Sequence, residues 1–142
     1  MVIIEDTRNP ASKHANIHAQ IEALGHKIIR SKLLVGDYTL STSQAVCIDT
    51  KANLQEVAGN LCQQHERFRA ECLRAQEAGI RLIILIEHGG AIKDIESVRM
   101  WQNPRLKTSP KAITGARMAA VMESMAAKYG IEWQFCAKSQ TG

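Results

Sequence analysis

"VGDYTLSTSQAVCIDTK", residues 35–51, holds two apolar-alternating runs with a polar turn, Ser41 to Gln44, between them. Asp37 opens the first run behind Gly36, and Asp49 and Lys51 close the second. Alternation of this kind predicts strands. Side chains two apart on a strand share a face, so Asp49 and Lys51 point the same way. Both runs therefore carry a carboxylate at a strand boundary, and the second adds a lysine beside its own.

Upstream, "MVIIEDTR" predicts a short buried strand with Glu5, Asp6 and Arg8 at its C-terminal end, and Pro10 marks a turn. Ile17, Ile21 and Leu24 recur at helical spacing before Gly25, predicting a helix over Ser12–Leu24. "HKIIRSKLLVGDYTL" and "AVCIDTK" predict two or three antiparallel strands. Downstream, Leu54, Val57, Ala58, Leu61, His65, Phe68 and Cys72 predict one long amphipathic helix that Gly79 ends. "RLIILIE" is apolar throughout, as in a strand covered on both faces, and Glu87 closes it. A short helix over 92–100, the loop "QNPRLKTSPKAI", a helix over Ala116–Lys128 and a last strand "IEWQFC" complete the chain. This order predicts an α/β fold, one central mixed sheet flanked by helices, in a single domain spanning 1–142.

Bulk properties narrow the function. With 45% hydrophobic and 23% charged residues among 142, the chain can bury a core. A net charge of +4 permits a polyanionic partner without requiring one. Cys47, Cys62, Cys72 and Cys136 lack the close pairing of a zinc site, and no secretory segment opens the chain. They read as reduced, mostly buried thiols of a cytoplasmic protein. "LIILI" at 82–86 is too short to span a bilayer, which excludes a membrane role through it.

Chemistry in an open α/β sheet collects at the strand ends along one edge, where Asp6, Asp37 and Asp49 are all expected. Two carboxylates and a main-chain carbonyl suit Mg²⁺ or Mn²⁺, with water and substrate phosphate completing the shell. Such an ion polarises a phosphodiester and lowers the pKa of a bound water. Lys51, on the face of Asp49, would orient that water or stabilise the pentacovalent charge.

Asp37, a gap of eleven residues and then Asp49-Thr50-Lys51 resembles the PD-(D/E)xK nuclease signature. "IIEDTR", "LLVGDYTL", "CIDTK" with "LQEVAGNL", "HERFRAE" and "LIILIE" follow the motif order of the XPF-type structure-selective nuclease domains. The resemblance covers residues 2–136 and implies the restriction-endonuclease-like fold and metal-dependent cleavage of branched, flap or junction DNA in repair or recombination. It implies that Asp37, Asp49 and the Thr50 carbonyl hold the metal, that Lys51 assists hydrolysis, and that Asp6 helps through water or a second metal. Arg8, Arg67 and Glu71 would support the site. The chain departs from the pattern at Asn9, where glutamate is usual, at Asp49 for glutamate, and at Thr50 for arginine. No tandem helix-hairpin-helix module fits before Gly142, so a homodimer mate or an accessory DNA-binding protein is expected to share substrate engagement. The compact motif set suits a phage or prophage source. A non-catalytic DNA-binding or dimerisation partner, and a sequence-specific restriction-type enzyme, are the alternatives.

Other residues have plainer readings. His14 and His18 have the i, i+4 spacing of a helical metal pair, but no acid accompanies them in sequence, and a solvated helix face is expected. His65 and His88 read as packing or surface residues, and Glu87 as an acid behind the site or a strand terminator. Arg99, Arg105, Lys107 and Lys111, with Trp101 among them, suit a phosphate backbone and an unstacked base. Met118, Met122 and Met125 read as helix core.

Overall fold

The computed structural model describes all residues from Met1 to Gly142. Six strands, β1 (Val2–Glu5), β2 (Lys27–Arg30), β3 (Tyr38–Leu40), β4 (Ser43–Lys51), β5 (Arg81–Ile86) and β6 (Glu132–Phe135), form one sheet ordered β2-β1-β3-β4-β5-β6. Only β3 runs against its neighbours; β1–β2, β4–β5 and β5–β6 are parallel. The reversal matters, because it brings the N-terminal end of β3 to the edge where β1 and β4 end. Main-chain bonds lock this meeting point, with Asp6 N donating to Asp37 O and Asp37 N to Ile48 O, each at 2.8 Å.

Five helices cover the sheet: α1 (Ala15–Ala23), α2 (Leu54–Cys62), α3 (His65–Glu77), α4 (Ile95–Val98) and α5 (Gly115–Tyr129). Alternation along β4 divides its neighbours. Cys47 joins the main core with Leu54, Phe68, Leu82, Ile84, Ile86 and the α5 methionines Met118, Met122 and Met125. Ile48 faces the smaller cluster of Ile17, Ile21 and Tyr38 under α1. By the same period, Asp49 and Lys51 extend the Cys47 face and Thr50 the Ile48 face.

Several expectations are corrected. The helix predicted from Leu54 to Gly79 is two helices, broken at Gln63 and Gln64, whose amides both donate to Gly59 O. The apolar rhythm bridged the break only through His65, which is exposed. β2 is parallel to β1 rather than part of an antiparallel set, as a crossover through α1 requires. Of the four cysteines, all free, Cys47 and Cys72 are buried while Cys62 is exposed. No helix is long and apolar enough to cross a membrane.

Candidate active site

Gly36 begins the site. Its φ of +75° lies in the left-handed region, and a Cβ there would stand 3.0 Å from Ile48 O, so only glycine lets the chain turn this close to β4. Gly36 N donates to Glu71 Oε1 at 3.1 Å, which ties the turn to α3. Asp37 follows, 9% exposed, and opens with Asp49 and Lys51 into a polar cleft of about 290 Å³. Asp6, Arg8, Asn9, Arg67 and Glu71 share its walls. The sheet edge thus gathers the residues expected from the ends of β1, β3 and β4 and from α3.

The electrostatics are uneven. Burial, with repulsion from Glu71 and Asp37, pushes the Asp49 carboxyl well above the usual aspartate range, against the pull of Lys51 3.2 Å away. Burial would lower Lys51, but Asp49 and Glu71 outweigh it and hold the ammonium above the ordinary lysine range. Its Nζ also lies 5.5 Å from the centre of the Phe68 ring. Burial would raise Asp37 too, yet hydrogen bonds from Asn9 and Thr50, and the charge of His14, bring it below 3.8. Three carboxylates thus crowd one lysine.

Within the cleft Asp49 has Lys51 as its ion-pair partner, while Arg8, Lys13, Arg67 and Arg74 stand elsewhere on its walls. No three His, Cys, Asp or Glu side chains stand gathered as a ready-made metal shell. The donor set fits the sparser kind typical of Mg²⁺, one or two carboxylates completed by a carbonyl and waters. Glu87 N donates to Lys51 O while Thr50 N turns to Asp37 Oδ2, 2.9 Å away. The amide and carbonyl of one strand residue point to the same side, so the Thr50 carbonyl is directed toward Asp37.

The remaining candidates have distinct places. Asp6 accepts from Leu33 N at 3.0 Å and from Arg8 Nε at 2.6 Å, and Arg8 also donates to Leu33 O, so this pair braces the segment leading into Gly36. Arg67 is exposed on the cleft wall. Arg105 and Lys111 line a second groove with Gln55 and Gly59 of α2 and Gln63 just beyond it, while Glu56 and Asn60 of α2 face the first cleft. Lys107 is exposed nearby. Arg99 is already bonded to Glu96 and Glu123, and half-buried Trp101 packs against the core, edge-on to His88. His88 Nδ1 accepts from Leu54 N, capping α2. His65 is exposed, and Glu87 lines a pocket with His14 and Thr50.

The histidine pair of α1 is not a solvated face. Fully buried Glu5 supplies the acid that the sequence did not show beside them: His18 Nε2 lies 2.5 Å and His14 Nδ1 3.5 Å from its Oε2. Asn9 and the Thr50 hydroxyl are further participants, both donating to Asp37; their only sequence signal was departure from the motif pattern.

The comparisons agree with this geometry. No curated protein matches the chain. The family model described as ERCC4 domain matches residues 6–140. Among solved structures, XPF from Aeropyrum pernix superposes with a TM-score of 0.68 at 20% identity, over 99% of this chain and 59% of that one. The same protein in complex with DNA gives 0.65 at 20% identity, covering 99% and 58%. The chain therefore spans under two thirds of the relative's length and shares the fold of that part, a restriction-endonuclease-like mixed sheet flanked by helices. With nearly every residue inside the matched range, and the strand-end acids and lysine gathered at one sheet edge, the chain belongs to the ERCC4 domain family of XPF-type nuclease domains.

Proposed function

We propose that residues 1–142 form one metal-dependent nuclease domain that hydrolyses DNA phosphodiesters at branched, flap or junction structures. The observation that carries this reading is the cleft in which buried Asp49, paired with Lys51, also lies within reach of the charges of Glu71 and Asp37. A carboxyl pushed up by burial and like charge, as Asp49 is, is in an environment that a cation relieves.

Asp37, Asp49 and the Thr50 carbonyl hold Mg²⁺ or Mn²⁺, which when bound supplies Lewis acidity to the phosphoryl group and a water of lowered pKa. Lys51 stays protonated, so it acts as donor rather than base: it orients the attacking water and meets the charge that builds on the phosphoryl oxygens. Asp6 and Arg8 keep the Gly36 turn in place. Exposed Arg67 and Arg74 on α3 suit the phosphate entering the cleft. Arg105, Lys107 and Lys111 beyond α2 suit the flanking backbone, a reading in keeping with a solved DNA complex of a similar fold. A second copy or an accessory DNA-binding protein extends this grip.

Thr50, where arginine is usual, favours one alternative, a non-catalytic DNA-binding or dimerisation partner. Labelled fork, flap, junction and linear substrates incubated with the purified chain, with and without Mn²⁺, separate the readings. Metal-dependent cutting of branched substrates is expected. Binding without cutting under any metal would establish the partner role, and cutting of linear duplex at a fixed sequence a restriction-type enzyme.

A further inference from the structure

The two donors on Asp37 come from opposite sides. Asn9 Nδ2 donates to Oδ1 at 2.6 Å, and Thr50 gives Oδ2 both its amide, at 2.9 Å, and its hydroxyl, at 2.7 Å. A carboxylate oxygen has two lone-pair sites, so Oδ2 is full and Oδ1 keeps one free.

Both donors are themselves fixed. Lys13 Nζ donates to Asn9 Oδ1 at 3.3 Å, which sets the amide so that its nitrogen faces Asp37, and the Arg30 guanidinium holds the Asn9 main-chain carbonyl. Thr50 is 8% exposed, and its hydroxyl also lies 3.4 Å from His14 Nε2. We infer that Asn9 and Thr50 are a positioning pair that turns the Asp37 carboxylate so that it offers a cation one lone pair, on Oδ1, and engages it through that oxygen alone. This rests on the metal-binding reading above.

Two measurements on Asn9→Ala, Thr50→Val and Thr50→Ser test the pair. In metal-free, isotope-labelled protein, the carboxyl carbon resonance of Asp37 is expected to move in Asn9→Ala and Thr50→Val, with the rest of the spectrum retained, and to stay in place in Thr50→Ser. Calorimetric titration with Mn²⁺ is expected to show binding weakened roughly tenfold or more in the first two variants, the usual cost of losing a group that orients a metal ligand, and recovered in Thr50→Ser.

An unmoved resonance in both variants, or a moved one with unchanged Mn²⁺ affinity, would overturn the inference. A parent protein that binds no Mn²⁺ while its Asp37 resonance still answers to both variants would instead overturn the metal reading and leave the hydrogen-bonded pair standing. If Asn9→Ala does not fold, the Thr50→Val and Thr50→Ser contrast decides the matter, because valine matches threonine in shape and only the hydroxyl differs.

Discussion

Glu5 and Asp49 are both carboxylates buried against the sheet, on opposite faces, and their neighbours differ in kind. Around Glu5 stand Arg30 Nε at 3.0 Å, His18 Nε2 at 2.5 Å and the Tyr38 hydroxyl at 3.0 Å. Burial and Glu5 push Tyr38 far above an ordinary phenol, so it remains a donor. Around Asp49 stand one lysine and two further carboxylates. A buried charge is tolerated when paired and hydrogen-bonded. The first centre is paired from within the protein, with hydrogen bonds to Oε2 and the Arg30 guanidinium beside Oε1, and reads as structure. The second has Lys51 alone as its ion-pair partner, with two further acids beside it, and is the centre proposed to take a cation.

The contrast can be broken from either side. Lys51→Met should lower the single-turnover cleavage rate by about a thousandfold, near the top of the range for losing one transition-state donor, while Mn²⁺ still binds by calorimetry. On the paired side, Arg30→Met removes the guanidinium paired with Glu5 and should cost roughly 3 kcal/mol in urea unfolding, as for stripping a partner from a buried ion pair. An unfolding midpoint equal to the parent's would show that the Glu5 centre does not hold the fold.

Weaker effects sharpen the account at the surface. Arg105→Ala and Lys111→Ala should each reduce the slope of DNA affinity against salt by about one, the signature of a lost phosphate contact. Arg99→Ala should leave the slope unchanged, because Glu96 and Glu123 already engage that guanidinium. The smallest effect concerns His88. Burial lowers its pKa below the ordinary histidine value of 6.5, so the unfolded chain takes up the proton first. Its contribution is complete above about pH 6.5 and is lost as the pH falls toward the folded value. Thermal melts of His88→Ala should show a shallower loss over that interval than the parent.

That Asp37, Asp49 and Lys51 share one cleft was legible in the sequence because its parts are local. Gly36-Asp37 and Asp49-x-Lys51 each lie within a few residues, and strand alternation settles which side chains share a face. Partners fixed by sheet topology were not legible. Glu5 meets His14 and His18 only because α1 folds back over β1, and from sequence alone the two histidines lacked an acid. The break between α2 and α3 was hidden by His65, which kept the spacing without being apolar. Thr50 and Asn9 showed only as missing motif residues, since a hydrogen bond to Asp37 across the sheet edge has no sequence period.

The acids gathered beside Lys51 are proposed to make a metal-dependent cutting site. Its most direct test is cleavage of a labelled flap substrate by the parent and by Asp49→Asn side by side in Mn²⁺, with circular dichroism confirming that both are folded. The account predicts cutting by the parent and none by the variant; equal cutting by both would contradict it.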